Sequence, residues 1–96
     1  MIKHVVFFKF KPDVDEQARE SGLDQLRQLP RKIDFIRSFE LGRDALRTPR
    51  SWDAVLIATY DDMDSLHRYA IHEAHVPAAR HMQSLCESIG SVDYEL

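Results

Sequence analysis

Ninety-six residues, 44% hydrophobic and 30% charged with a formal net charge of -3, describe one small globular domain and exclude a disordered chain or two domains. The acidic balance argues against a general affinity for nucleic acid. The single cysteine, Cys86, rules out an internal disulfide and fits a reducing compartment.

The opening residues, Met1 to Phe10, hold an apolar run of only four, Val5 to Phe8, between charged or chargeable groups. That run is too short for a signal peptide or a membrane span, so the expected location is the cytoplasm, with no membrane contact. It does suit a strand over 2–10, stopped by Lys11-Pro12-Asp13. Alternation places Ile2, His4, Val6, Phe8 and Phe10 on one face and Lys3, Val5, Phe7 and Lys9 on the other. Residues 14–29 follow as a helix capped by Asp13 or Asp15, weakened at Ser21-Gly22 and ended by Leu29-Pro30.

A second strand is expected within 33–43, beginning at Ile33 or nearer Ile36, and then an exposed loop from Asp44 to Ser51. Arg47 and Arg50 in that loop suggest either an anion site or a solvated turn. A third strand spans 52–60, with Trp52, Ala54, Leu56, Ala58 and Tyr60 on one face and Asp53, Val55, Ile57 and Thr59 on the other. Asp61-Asp62 caps a helix over about 62–71, and Pro77 opens another over about 77–88 with Ala78, Met82, Leu85, Cys86 and Ile89 on its apolar side. Gly90 should end it, leaving Ser91 to Leu96 as a short last strand.

The order β-α-β-β-α-β predicts an α+β fold of the ferredoxin-like type, a four-stranded antiparallel sheet with helices on one face. The other face then exposes Val5, Phe7, Val55 and Ile57. Leaving side chains of that size in water forgoes about 1.5–3 kcal/mol each. Packing this face against a second copy removes the problem, so a homodimer through these residues is expected.

Chemistry concentrates in Tyr69-Ala70-Ile71-His72-Glu73-Ala74-His75-Val76, which holds a tyrosine and two of the five histidines. An imidazole titrating near neutral pH can take a proton, and a neighbouring phenol can orient a carbonyl or stabilise an enolate. His4 shares its strand face with Val6 and Phe8, so it lies beneath the helices, either as a bonded core histidine or as part of a site. His67 and His81 read as surface residues. His72 and His75 are three apart, unlike the His-Glu-x-x-His zinc motif, and no cysteine pair accompanies them. No metal or cofactor is therefore expected. No G-x-S-x-G elbow is present, and the isolated Gly22, Gly42 and Gly90 form no phosphate cradle.

Three stretches together resemble one family: Ile2-Lys3-His4-Val5-Val6 with Phe8-Lys9-Phe10, then Tyr69-(x2)-His72-(x2)-His75-Val76, and finally Val92-Asp93-Tyr94. They resemble the stress-responsive α/β-barrel (Dabb) domains over essentially the whole chain. The resemblance implies a ferredoxin-like homodimer closed into a dimeric α+β barrel. Many members are similar to plant stress-induced proteins, and one branch resembles polyketide cyclases of the olivetolic acid cyclase type. In that branch a histidine abstracts a proton beside a carbonyl and a tyrosine holds the substrate. Carried over by position, the resemblance makes His75 the base, Tyr69 the tyrosine and His4 a supporting histidine. Val6, Phe8, Leu56 and His72 would then touch the ligand. Glu73 stands where that branch usually has proline.

Three functions remain open on this reading. The domain holds a small apolar or aromatic ligand between sheet and helices, or acts as a cofactor-free cyclase, isomerase or lyase, or serves structurally with its pocket filled.

Overall fold

A computed structural model describes all residues, 1–96. Eight elements follow one another: β1 (Ile2–Phe10), α1 (Glu16–Arg27), α2 (Leu29–Lys32), β2 (Ser38–Arg43), β3 (Ala54–Tyr60), α3 (Met63–Ala70), α4 (His75–Leu85) and β4 (Cys86–Glu95). The strands form one sheet in the order β2-β3-β1-β4, and every neighbouring pair is antiparallel. This is the ferredoxin-like α+β arrangement expected from the element order.

The register fixes which side chains face the helices. Ile2, His4, Val6 and Phe8 of β1 lie opposite Tyr60, Ala58, Leu56 and Ala54 of β3. The same four lie opposite Glu95, Asp93, Ser91 and Ile89 of β4. Ile2, Phe8, Phe10, Leu56, Ala58 and Tyr60 are buried in one core with Leu23, Leu26, Leu66, Tyr69, Ala78 and Met82 from the helices.

Helix ends follow local chemistry. The Asp15 carboxylate accepts from the Ala18 N–H at α1, and Asp62 accepts from Ser65 at α3, each satisfying a backbone donor that the helix itself leaves free. α1 continues through Gly22 as one helix. A β-carbon there would stand 2.7 Å from Leu85 Cδ1 and 2.9 Å from Met82 Sδ. Gly22 thus permits a close approach of α1 to α4 rather than a kink.

Several boundaries depart from the expectations above. Leu29-Pro30 does not end the helical region. Proline is tolerated in a first turn, and here it sits in the first turn of the short α2. β2 begins only at Ser38. Ile33 closes α2 and is buried, while Phe35 and Ile36 pack on the core from the turn. Trp52 does not share a face with Ala54. It precedes β3 and its ring lies 5.9 Å from that of Phe7, on the side of the sheet away from the helices.

The largest change concerns the C-terminal third. α4 starts at His75 rather than Pro77 and stops at Leu85, and Cys86 to Gly90 are strand. Ile89 pairs with Phe8 and Gly90 with Phe7, so the apolar spacing read as a helix face continues into a strand face. Cys86 is a buried residue at the head of β4, and burial pushes its thiol up to about 11.

The Asp44–Ser51 loop is organised around an acid, not an anion site. Asp53 is buried. Its carboxylate accepts from the Phe10 N–H at 2.8 Å and from Arg47 at 2.7 Å. Burial alone would raise this carboxyl, yet Arg47 and the Phe10 amide outweigh it and hold it below the usual range. Arg47 takes φ 57°, the left-handed region, where its N–H donates to Asp44 Oδ2 at 2.7 Å.

Candidate functional site

Five elements bring one polar side chain each to the same end of the helix-covered face: His4 from β1, Tyr60 from β3, Tyr69 from α3, His75 from α4 and Asp93 from β4. The ring centroids of Tyr69 and His75 are 4.3 Å apart, those of Tyr60 and Tyr69 5.0 Å, and those of His4 and Tyr69 5.9 Å. Every ring is therefore in contact with at least one other.

His75 reaches this position because the chain turns tightly between α3 and α4. Its N–H and that of Val76 both donate to the His72 carbonyl at 3.0 Å. The His75 Nδ1–H donates to the Ala70 carbonyl at 2.9 Å. A carbonyl can only accept, so this bond fixes the tautomer and leaves Nε2 with a free lone pair. Burial lowers the pKa of His75 and outweighs the opposing effect of the Ala70 carbonyl, while the nearby imidazoles of His4 and His72 lower it further. At neutral pH His75 is an uncharged base.

The His4 Nδ1–H donates to Asp93 Oδ1 in a short contact. A carboxylate at this nitrogen orients the ring and leaves Nε2 as the second face of the imidazole. Burial pushes the Tyr69 hydroxyl up to about 12, with the Tyr60 hydroxyl acting against that rise. Burial also drives Tyr60 well above the ordinary tyrosine range. Both phenols therefore keep their protons at neutral pH.

Beside this cluster lies a pocket of about 460 Å³. His4, Tyr69, His75, Ser91 and Asp93 line its polar end, and Val6, Phe8, Leu26, Leu56, Leu66 and Met82 line its apolar part. Exposed Met63 and His67 also line it, so it reaches the surface beside α3. A volume of this size with a mostly apolar wall and a few convergent polar groups is the common form of a small-molecule site. No group of three or more histidine, cysteine or acidic side chains is arranged to hold a metal ion.

The structure brings together six of the seven residues singled out from the sequence: His75, Tyr69, His4, Val6, Phe8 and Leu56 all line the pocket. His72 does not. Its Nδ1 accepts from the Ala74 N–H at 3.0 Å, and its ring lies 6.2 Å from Phe35, so it shapes the turn that delivers His75. Sequence reasoning missed Asp93, Ser91, Ile89 and Leu26 in the wall, and it placed His67 on the surface without a part in the mouth. Asp93 was within reach. It alternates with Ser91 on one strand face, but only pairing with β1 sets it opposite His4.

Fold and cluster together define a ferredoxin-like α+β domain with a helix-covered pocket that ends in imidazole and phenol groups. The chain belongs to the Dabb stress-responsive A/B barrel domain family, whose model matches residues 2–96. Among its relatives is an uncharacterised protein of Streptomyces coelicolor, 34% identical over 77 residues, 78% of this chain and 79% of that protein. Olivetolic acid cyclase of Cannabis sativa is 23% identical over 95 residues, 97% of this chain and 94% of the cyclase. A dimeric ferredoxin-like protein of unknown function from Bacteroides fragilis superposes with a TM-score of 0.84 at 31% identity, over 99% of this chain and 95% of that one. The hydroxynitrile lyase of Passiflora edulis shares the fold, with a TM-score of 0.87 at 15% identity over 99% and 92% of the two chains. No helix is long and apolar enough to cross a membrane.

Proposed function

We propose that this protein is a homodimer that holds a small apolar or aromatic molecule in the pocket between sheet and helices. The observation that carries the reading is the pocket itself: about 460 Å³, apolar along Val6, Phe8, Leu56 and Met82, with His4, Tyr69 and His75 among its few polar groups. Such a wall takes an alkyl or aromatic body and orients one oxygen-bearing end. A series of 4-alkylphenols, titrated against the protein and followed by amide chemical shifts, tests it. Affinity should rise with chain length until the pocket is full. Leu56→Trp, which fills the pocket from β3, should cut affinity at least ~100-fold, about 2.7 kcal/mol. Uptake that ignores chain length and Leu56→Trp would place the ligand elsewhere.

A second reading adds chemistry at the same place, a cofactor-free cyclase, isomerase or lyase. It is favoured by the state of His75, a neutral imidazole whose Nδ1–H is tied to Ala70 and whose Nε2 is free, with its ring tilted 44° against that of Tyr69. In this mechanism Nε2 takes a proton from the carbon beside a carbonyl, and the Tyr69 hydroxyl donates to the resulting enolate oxygen. The cyclase relative supports a chemical role for the pocket. Exchange of carbonyl-adjacent hydrogens for solvent deuterium in bound alkyl ketones measures it directly. His75→Ala should slow that exchange by about 10²–10⁴-fold, the usual contribution of a general base, and leave the fold intact. Unchanged exchange would remove His75 as the base.

The dimer would form through the sheet face opposite the helices, where Val5, Phe7, Val55 and Ile57 stand half-buried. Support comes from the dimeric state named for the Bacteroides fragilis neighbour.

A further inference from the structure

We propose that Tyr60 is a positioning residue for the pocket: its hydroxyl donates to the Tyr69 oxygen and makes Tyr69 a stronger donor toward a ligand oxygen that carries negative charge. The proposal rests on the reading of the pocket as a ligand site.

Tyr60 closes β3 and is fully buried. Its hydroxyl is the one buried side-chain polar atom in the protein without a hydrogen-bond partner. Buried polar groups almost always find partners, and an orphan calls for an explanation. Packing alone does not supply one, because phenylalanine would fill the same volume without stranding an oxygen. The ring lies 5.0 Å from that of Tyr69, inclined at 46°, and 6.2 Å from that of His4. Tyr69 lines the pocket and Tyr60 does not. A ligand therefore meets one phenol, with a second phenol behind it that no ligand touches.

The groups facing this pair leave Tyr69 as the natural acceptor. His4 on β1 and Asp93 on β4 are already bonded to each other. His75 on α4 spends Nδ1 on Ala70. The Tyr69 oxygen has lone pairs to offer, and its ring is the nearest of these to that of Tyr60, at 5.0 Å between centroids. Hydrogen bonds in such a chain strengthen one another: when Tyr69 accepts from Tyr60, its own O–H is polarised toward the pocket. Both protons stay on their oxygens throughout. The opposition of Tyr60 to the burial-driven rise of Tyr69 agrees with this direction of donation. The chemistry it serves is the holding of an enolate, phenolate or similar oxyanion, not of a neutral ligand alone.

The first test needs no ligand. With tyrosine labelled at the ζ-carbon, Tyr60→Phe should move the ionisation of Tyr69 to higher pH, and an unmoved titration would overturn the proposal. Should that variant fail to fold, Tyr69→Phe gives the reciprocal reading at neutral pH. The buried Tyr60 hydroxyl proton, downfield in the wild type, should shift upfield, and a constant shift would overturn the proposal equally. The second test uses 4-nitrophenol bound on either side of its own ionisation. Tyr60→Phe should weaken the phenolate about two- to fourfold, the share that a backing hydrogen bond adds to a charge-assisted one, and the neutral phenol much less. Equal losses for the two forms would reduce Tyr60 to packing. If the wild type takes up neither form, the ligand reading of the pocket falls, while the labelled-tyrosine titration still decides the bond between the phenols.

Discussion

On the helix side of the sheet Ile2, Phe8 and Phe10 are at most 4% exposed, and the same side carries the polar groups His4, Tyr60, Ser91 and Asp93. On the opposite side Val5, Phe7, Val55 and Ile57 are only half-buried, and Val92 and Tyr94 of β4 are 55% and 44% exposed. That side holds apolar surface without chemistry, while the helix side holds chemistry inside apolar surface. The difference divides the small domain: one face encloses a pocket of about 460 Å³, and the other presents apolar side chains to solvent. Trp52 extends the second face, with its ring on Phe7 and near the place where a Gly90 β-carbon would stand, 3.6 Å away.

The largest effect expected from breaking this contrast comes from a charge on the uncovered face. Phe7→Asp or Ile57→Asp should raise the dimer dissociation constant by at least ~100-fold, about 2.7 kcal/mol, since an interface cannot solvate a lone carboxylate. Sedimentation velocity reads the outcome. A dimer that survives both changes would place the interface elsewhere, whereas monomers that still take up 4-alkylphenols would show that the two faces work independently.

A smaller effect belongs to the covered face. Gly22→Ala drives a methyl group against Leu85 and the pocket-lining Met82. Overpacking of this kind costs about 1–3 kcal/mol, and the better helix propensity of alanine returns about 1 kcal/mol. A net loss of stability on thermal unfolding is expected, together with a pocket that rejects the longest alkyl chains first. Unchanged chain-length selectivity would separate Met82 from the depth of the pocket.

The smallest effect is a pH dependence confined to the covered face. Burial holds the folded pKa of His75 below its ordinary, unfolded value of 6.5. Between those two values the unfolded chain binds more protons, so stability falls as pH drops. The contribution of His75 is fully present above 6.5 and is lost as pH falls through the lower, folded value. Denaturant midpoints of the wild type and His75→Phe, compared across this window, should converge on acidification. Parallel curves would mean that His75 is solvated enough to titrate freely.

Particular residues show how much of this could be read in advance. The alternation Ile2-His4-Val6-Phe8-Phe10 already placed His4 with the core, because a strand has period two and its partners do not alter it. Tyr69 and His75 stood out by chemical type alone. Asp93 did not, since its role depends on a pairing with β1 that spans most of the chain. The end of α4 was misread because Met82, Leu85, Cys86 and Ile89 keep an apolar spacing that serves a helix until Leu85 and a strand after it. Short apolar runs carry no mark of which period will win. His72 was grouped with His75 by proximity in sequence, yet the tight turn between α3 and α4 points one into a cap and the other to the pocket.

The sequence by itself determined the order of elements, the antiparallel ferredoxin-like sheet, the two apolar faces and the chemical types available to a site. These follow from local periodicity, caps and breakers, which act over a few residues. Only the tertiary structure decided that Asp93 holds His4, that His75 keeps a free Nε2, that the Tyr60 ring packs beside Tyr69 and that a pocket lies beside them. Each of those depends on distances between residues far apart in the chain, which packing and register set and no local pattern encodes.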